Sequence, residues 1–223
     1  MNNRPILVLA SNSPRRRELL ALGGWMFHLR PAEVDETPRP GEAPGTYVLR
    51  LAESKARAGA AAARPDEIVV AADTTVAVDG EILGKPRDMS EAAEMLRRLR
   101  GRTHQVQTGI AVIRAADGAC LSDLCTTDVP MRPYRDDEIE AYVASGDPLD
   151  KAGAYAIQHA GFHPVEALAG CYASVMGLPL CHLTRLLSQL DAPPRTDIAA
   201  ECQSALQYGC PVYAGILDEQ GES

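Results

Sequence analysis

Residues 15–17 are three consecutive arginines that follow Ser13-Pro14 shortly after the apolar run 6–10. Ser13 is predicted to cap a helix whose first position is Pro14. The first turn of a helix carries unpaired N–H groups and the positive end of the helix dipole, so a cation there is unfavourable by about 0.3–1 kcal/mol. A bound anion reverses that sign, because N–H groups and guanidinium groups then converge on it. The arrangement predicts a phosphate-binding site.

Lys55 lies on the apolar face of a second predicted helix. Val48, Leu51 and Lys55 are spaced so that all of them share one helix face. The lysine side chain either runs past the core to solvent or points into a cleft.

Asp73 interrupts the run 68–78, which is apolar on both faces, as in a central strand. An unpaired carboxylate is costly to bury, so this one needs a partner. Two interpretations remain open. Asp73 either accepts hydrogen bonds from loop amides, or it holds a metal ion or acts as a general base.

Two later loops carry further polar groups. Lys85 lies in the segment Gly84-Lys85-Pro86-Arg87, and Gln158 ends the small-residue segment 150–158. Small residues allow a backbone to approach a ligand closely, although ordinary tight turns use them as well.

Composition excludes several classes of protein. The chain of 223 residues has a net charge of −8, which disfavours long nucleic acid as a partner. No apolar run is long enough to span a membrane and no secretory segment is evident, so we expect a cytoplasmic protein. The six cysteines form no C-x-x-C pair and are expected to be free thiols. Neither a P-loop nor a dinucleotide-binding motif is present.

Strand-like and helix-like segments alternate, which predicts a mixed α/β fold. The predicted strands are 5–10, 68–78, 81–83, 104–114, 119–130 and a short one near 162–168. The predicted helices are 14–22, 46–63, 90–101, 136–145 and one that follows Pro179. Residues 1–190 are therefore predicted to form one domain, and residues 191–223 a C-terminal tail with no clear period and no assigned role.

Several of these segments together resemble the Maf family of nucleoside triphosphate pyrophosphatases. The resemblance runs through residues 9–20, 34–38, 50–56, 72–74, 84–86, 108–109, 150–153, 157–158 and 175–180. It implies a fold similar to that of inosine triphosphatases, in which a long, twisted mixed sheet is flanked by helices and two lobes enclose a cleft. Homodimers are common in such folds, so a homodimer is an open possibility.

The resemblance also implies the reaction. Members of the family hydrolyse small-molecule nucleoside triphosphates between the α and β phosphates, with a divalent cation such as Mg²⁺ or Mn²⁺, and limit misincorporation of nucleotides. Asp73 matches the proposed catalytic base of the family. Glu36, Lys55 and Lys85 match the other acid and the cations of its active site.

The residue types at three positions indicate a subfamily. Arg15, Thr74 and Gln158 match the dTTP/UTP pyrophosphatases, whereas the 7-methyl-GTP group has tryptophan and glutamine at the first two. The resemblance therefore implies dTTP and UTP as substrates, and it leaves open whether modified pyrimidine triphosphates are preferred to them. A carboxamide at Gln158 suits uracil and thymine, because it can accept from the N3–H group and donate to a carbonyl group of the same base.

These residues together predict a mechanism. Glu36 and Asp73 would hold the metal ion, and Asp73 would activate the attacking water. The phosphates would be bound by Ser13, Arg15, Arg16, Lys55 and Lys85.

Two other functions compete with this one. The family takes its name from septum formation, so the chain could instead be a binding partner in cell-division arrest. Arginine-rich loops after a first strand also serve nucleotidyl transferases.

Overall fold

A computed structural model describes residues 5–218. The strands are β1 (Ile6–Leu9), β2 (Phe27–Leu29), β3 (Glu67–Val78), β4 (Glu81–Leu83), β5 (Thr103–Arg114) and β6 (Cys120–Pro130). The α-helices are α1 (Pro14–Ala21), α2 (Pro44–Ala60), α3 (Met89–Leu99), α4 (Asp136–Ala144), α5 (Tyr172–Val175), α6 (Leu180–Ser188), α7 (Ile198–Leu206) and α8 (Tyr213–Asp218). None of the helices in this part of the chain has the length and hydrophobicity that a membrane crossing needs.

The strands form one mixed sheet in the order β2-β1-β3-β5-β6. β1 is parallel to both β2 and β3, whereas β5 and β6 continue the sheet in antiparallel pairs. β4 pairs back onto β3 through the turn at Asp79-Gly80, as the sequence predicts. The predicted α/β class is confirmed.

β1 and β4 share one edge of β3 and leave a gap between them. β5 covers the other edge of β3 along residues 68–77. On the shared edge, β1 pairs with residues 67–70 and β4 pairs with residues 76–78. Residues 71–75 of β3 therefore face an opening in the sheet, at the carboxyl end of β1.

α2 packs directly against the strands next to this opening. A side-chain carbon at Gly109 of β5 would lie 2.7 Å from the backbone carbonyl group of Val48 in α2, so only glycine allows this approach. The contact fixes the height of α2 above β3 and hence the position of Lys55.

The buried apolar residues form separate clusters, which give the fold its two lobes. The first cluster includes Leu9, Trp25 and Leu187. The second cluster includes Leu96 of α3 and Ile139 of α4. The gap in the sheet lies between these clusters, so the expected cleft between two lobes is present.

The segment after residue 190, whose sequence has no clear period, contains α7 and α8. Asp197 caps α7 by accepting a hydrogen bond from the Ala200 amide. Ile198 and Ala199 are buried, and small or polar residues fill most of the helix, so its sequence shows only a weak period. The strand predicted near 162–168 is absent from the described residues. A single β-bridge between Val165 and Met131 stands in its place.

The segment between α6 and α7 binds the C-terminal end of α1. The Arg195 amide donates to the carbonyl oxygen of Gly23 at 2.8 Å, and the Thr196 hydroxyl donates to that of Leu22 at 2.7 Å. The Trp25 indole donates to the carbonyl oxygen of Ala192 at 3.0 Å. The first two bonds satisfy carbonyl groups just beyond α1, and all three hold the helix from the end opposite to its arginines.

Candidate active site

A cleft of about 620 Å³ opens at the gap in the sheet. Its apolar lining draws on both lobes, with Met176 packed against the first cluster and Val76 and Tyr155 in the second. Nearly all residues that the sequence singles out line it, namely Ser13, Arg15, Arg16, Glu36, Lys55, Thr74, Lys85 and Gln158. Asp73 is the exception: it is 8% exposed and adjoins this lining through its 2.6 Å hydrogen bond from Lys55.

The N-terminus of α1 points into the cleft. Ser13 caps the helix, and its hydroxyl oxygen accepts from the Arg16 amide at 3.4 Å, as the sequence predicts. The Ser13 amide in turn donates to the Ser11 hydroxyl at 3.2 Å. Arg15 is half-buried against the cleft, whereas Arg17 is exposed on another face of the helix.

Arg16 joins parts of the cleft wall that are far apart in sequence. Its Nε donates to the carbonyl oxygen of Gly177 at 2.9 Å, and its Nη2 donates to Oγ1 of Thr74 at 3.2 Å. Burial lowers the pKa of Arg16, while the nearby charge of Asp73 opposes that shift. The guanidinium group is therefore held in one orientation.

Lys55 lies between two carboxylates. Its Nζ is 2.6 Å from Oδ1 of Asp73 and 2.6 Å from Oε1 of Glu36. Lys55 and Asp73 are both only 8% exposed, whereas the Glu36 side chain is 54% exposed at the cleft mouth. Lys55 therefore points into the cleft, and the partner that Asp73 requires is a lysine on α2.

The pKa values of the two carboxyl groups are shifted in opposite directions. Burial raises the pKa of Asp73, and the charges of Lys55 and Arg16 only partly offset that effect. Partial burial also acts to raise the pKa of Glu36, but the hydrogen bond and charge of Lys55 outweigh it, so this pKa is lowered. Opposed shifts in neighbouring carboxyl groups are typical of sites where one group moves a proton and the other stays ionised.

The same carboxylates are a suitable donor set for a hard divalent cation. Both lie 2.6 Å from the same atom, Lys55 Nζ, so the two carboxylates are close neighbours, and Mg²⁺ is commonly held by one or two carboxylates together with substrate phosphates. Within residues 5–218 no group of three or more His, Cys, Asp or Glu residues forms a complete metal cage. The donor set therefore fits a cation that arrives with its phosphate ligands.

Lys85 and Gln158 reach the cleft on loops that are bound to each other. The Gly153 amide donates to the carbonyl oxygen of Gly84 at 3.1 Å, next to Lys85. Gly153 has a φ of 68°, and a side-chain carbon there would lie 2.8 Å from Val76. A glycine is needed at this position on both counts.

A hydrogen-bond network that is not predicted from the sequence lies behind the cleft wall. Thr74 Oγ1 is 3.0 Å from Oγ1 of Thr108, which donates to the carbonyl oxygen of Ser174 at 2.9 Å. Together with Arg16 and Gly177, this network ties β3 and β5 to α5. Thr108 and Gly177 stand inside segments that carry the family resemblance, which is the signal that points to them.

A second polar cluster lies on β6 and α6. His182 Nδ1 is 2.9 Å from Oδ2 of Asp123, and Arg185 donates to the same oxygen at 2.6 Å. Burial acts to lower the pKa of His182, but Asp123 together with Cys125 of β6 raises this pKa to about 9. None of these residues lines the cleft.

Comparison with known proteins identifies the family. The dTTP/UTP pyrophosphatase of Anaeromyxobacter dehalogenans is 49% identical over 191 residues, which cover 85% of this chain and 96% of that relative. The dTTP/UTP pyrophosphatase of Escherichia coli is 49% identical over 187 residues, which cover 83% of this chain and 93% of that relative.

A solved structure of a nucleoside-triphosphatase / dITP/XTP pyrophosphatase from Mycobacterium abscessus is 16% identical, covers 83% of this chain and 98% of its own, and has a TM-score of 0.41. A family model described as Maf-like protein matches residues 6–190. The resemblance noted in the sequence is confirmed, and the chain belongs to the Maf family.

Proposed function

We propose that this chain hydrolyses dTTP and UTP to the nucleoside monophosphate and pyrophosphate. The observation that carries the proposal is the arrangement of Asp73, Lys55 and Glu36 beside the N-terminus of α1, with opposed pKa shifts in the two carboxyl groups. The names of the curated relatives supply the substrates.

The cationic groups of the cleft suit a triphosphate. Arg15, Arg16 and the amides that follow Ser13 approach it from α1, Lys55 approaches from α2 and Lys85 from the loop after β4. Charge on the phosphates rises as the bond to the leaving pyrophosphate breaks, so cations held in fixed positions stabilise the transition state. The hydrogen bonds of Arg16 to Gly177 and Thr74 provide that fixation for one of them.

Asp73 is assigned the role of general base. Water attacks the α phosphorus, its proton passes to a carboxylate oxygen of Asp73, and the bond from the α phosphorus to the bridging oxygen breaks to release pyrophosphate. A raised pKa makes a carboxylate a better proton acceptor. Lys55 holds the carboxylate in place by its 2.6 Å hydrogen bond.

Glu36 and Asp73 are the residues that would hold the divalent cation. When bound, Mg²⁺ or Mn²⁺ would neutralise phosphate charge and lower the pKa of a coordinated water. Because its pKa is lowered, Glu36 stays ionised and keeps its affinity for a cation over the neutral pH range.

Gln158, Thr74 and Arg15 are assigned to recognition of the nucleoside. All of them line the same cleft, as does Met176. Its carboxamide can satisfy both the N3–H group and a carbonyl of uracil or thymine, whereas cytosine presents an acceptor at N3.

The test is a pyrophosphate-release assay over a panel of canonical and 7-methylated nucleoside triphosphates, with Mg²⁺ or Mn²⁺ and with a chelator. We expect dTTP and UTP to be turned over best, and the chelator to abolish turnover. A strong preference for a purine would refute the substrate assignment. Release of pyrophosphate without any sugar-phosphate acceptor would separate hydrolysis from nucleotidyl transfer.

A further inference from the structure

A second cavity of about 300 Å³ adjoins the cleft. Gln158 and Met176 line both spaces, so the cavity begins where the proposed base-recognition residue stands. The cavity also lies one turn further along α1 than the cleft does, because Arg15 lines the cleft and Glu18 lines the cavity. We call this cavity the side compartment.

The far wall of the side compartment is α7. Ala205 and Leu206 line it from that helix. The Maf family model ends at residue 190, so this wall is built from a segment outside the matched region. A site residue in α7 is therefore beyond what the family resemblance assigns.

α7 is held firmly enough to act as a wall. Ile198 is buried in the first cluster, and the Thr196 hydroxyl bonds to the end of α1. Just beyond the helix, the Tyr208 ring packs on Tyr172 of α5 with ring centroids 5.5 Å apart, and its hydroxyl donates to the carbonyl oxygen of Leu168 at 2.9 Å.

The charges of the two spaces differ. The cleft has Arg15, Arg16, Lys55 and Lys85 in its lining, whereas the side compartment has Glu18 and no Lys or Arg among the described residues that line it. A carboxylate beside apolar side chains disfavours a polyphosphate. The triphosphate therefore stays in the cleft, and only the base end of a nucleotide can face the side compartment.

We propose that the side compartment receives an apolar substituent at position 5 of a pyrimidine base, with Ala205 and Leu206 as specificity-determining residues. The inference rests on the proposed function. Position 5 adjoins the carbonyl group at position 4, which is on the edge that Gln158 is suited to bind, and Gln158 stands at the entrance. A volume of about 300 Å³ leaves room for a group of several carbon atoms.

The test compares UTP with 5-(1-propynyl)-UTP in the wild type, Ala205→Trp and Ser204→Trp. Ala205 and Ser204 are exposed neighbours on α7, but only Ala205 lines the side compartment, so Ser204→Trp is a matched control. We expect the wild type to hydrolyse both substrates. Ala205→Trp should lower the ratio of kcat/KM for the propynyl substrate to that for UTP by at least about tenfold, the effect of an apolar group that no longer fits. Ser204→Trp should leave that ratio unchanged.

Other outcomes would overturn the inference in distinguishable ways. A ratio that Ala205→Trp does not change, in a protein with unaltered thermal unfolding, refutes the assignment of the side compartment while UTP hydrolysis stands. Failure of the wild type to accept the propynyl substrate refutes it as well. Absence of UTP hydrolysis would instead refute the proposed function, and this inference with it.

Discussion

Replacing Asp73 with asparagine should separate the chemistry of the cleft from its stability. The change removes the negative charge from the acceptor of a 2.6 Å hydrogen bond, so the loss is at most the whole worth of that charge-assisted bond, about 1.5–3 kcal/mol. It also removes the cost of burying a carboxylate that is 8% exposed. Lys55 keeps its 2.6 Å contact with Glu36, so its ammonium group is not left unpaired.

The direction of the pKa shift decides whether losing the charge of Asp73 raises or lowers the free energy of unfolding. Burial outweighs the attraction of Lys55 and Arg16, so the pKa of Asp73 is higher in the folded chain than in the unfolded one. The folded state then binds more protons, and the free energy of unfolding falls as the pH rises through the interval between the two pKa values. At pH 7 the neutral variant avoids that loss. We expect its Tm to be equal or higher, with each 1 kcal/mol visible as about 2–4 °C.

Turnover should fall, although the Tm does not. Loss of a general base costs about 10²–10⁴-fold in rate, or about 2.7–5.4 kcal/mol of activation free energy. Pyrophosphate release at saturating Mg²⁺ or Mn²⁺ and thermal unfolding without metal measure the two effects. Near-normal turnover would refute the role of Asp73 as a base, and a clearly lower Tm would refute the electrostatic argument.

Asp123→Asn is a matched control that should lower the stability and leave turnover unchanged. Burial acts to raise the pKa of Asp123, but hydrogen bonds from His182 and Arg185 outweigh it and lower the pKa to about 2. Neutralising this carboxyl group should therefore cost about 1–2 kcal/mol of unfolding free energy after allowance for solvent screening. Turnover should be unchanged, because Asp123 lies outside the cleft.

Gln158→Glu replaces a carboxamide, which donates and accepts hydrogen bonds, by a carboxylate, which only accepts them. We therefore expect kcat/KM for UTP to fall by about 10–100-fold relative to that for CTP. An unchanged ratio of the two kcat/KM values would contradict the role of Gln158 in recognition. Arg16→Lys cannot keep both the 2.9 Å bond to Gly177 and the 3.2 Å bond to Thr74, so kcat/KM should fall by about tenfold or more, and wild-type kinetics would contradict the role of this network. Burial acts to lower the pKa of His182, but Asp123 and Cys125 outweigh it and raise the pKa to about 9. The stabilisation from a raised pKa is complete below about pH 6.5 and lost as the pH rises through about 9, so His182→Gln should be less stable than the wild type at pH 6, and urea unfolding should show a smaller difference at pH 10.

The sequence could predict the parts of the site whose cause is local. Ser13 and Pro14 begin α1 through capping and a fixed φ, and Asp79-Gly80 makes the turn between β3 and β4. Lys55 and Asp73 were predicted from conflict with their surroundings, since each places a charge where the pattern is apolar. Such a conflict is visible from the neighbouring residues in the sequence alone.

The partners of those charges could not be predicted in the same way. Lys55 and Asp73 meet only because α2 crosses β3 at a height that Gly109 sets on another strand. β2 has three residues and exists through pairing with β1. α7 has few large apolar residues and is stabilised by packing on the first cluster. The spacing of apolar residues within the helix does not predict that packing.

The cleft originates in the unequal lengths of the strands. β3 has twelve residues, whereas β1 has four and β4 has three, so residues 71–75 of β3 lack a strand on one edge. Consecutive residues of a strand point to opposite faces. Asp73 therefore meets Lys55 from α2 on one face, while Thr74 meets Arg16 from α1 on the other. Two cations are brought together across the opening by adjacent residues, which concentrates positive charge for a phosphate in a chain whose net charge is −8.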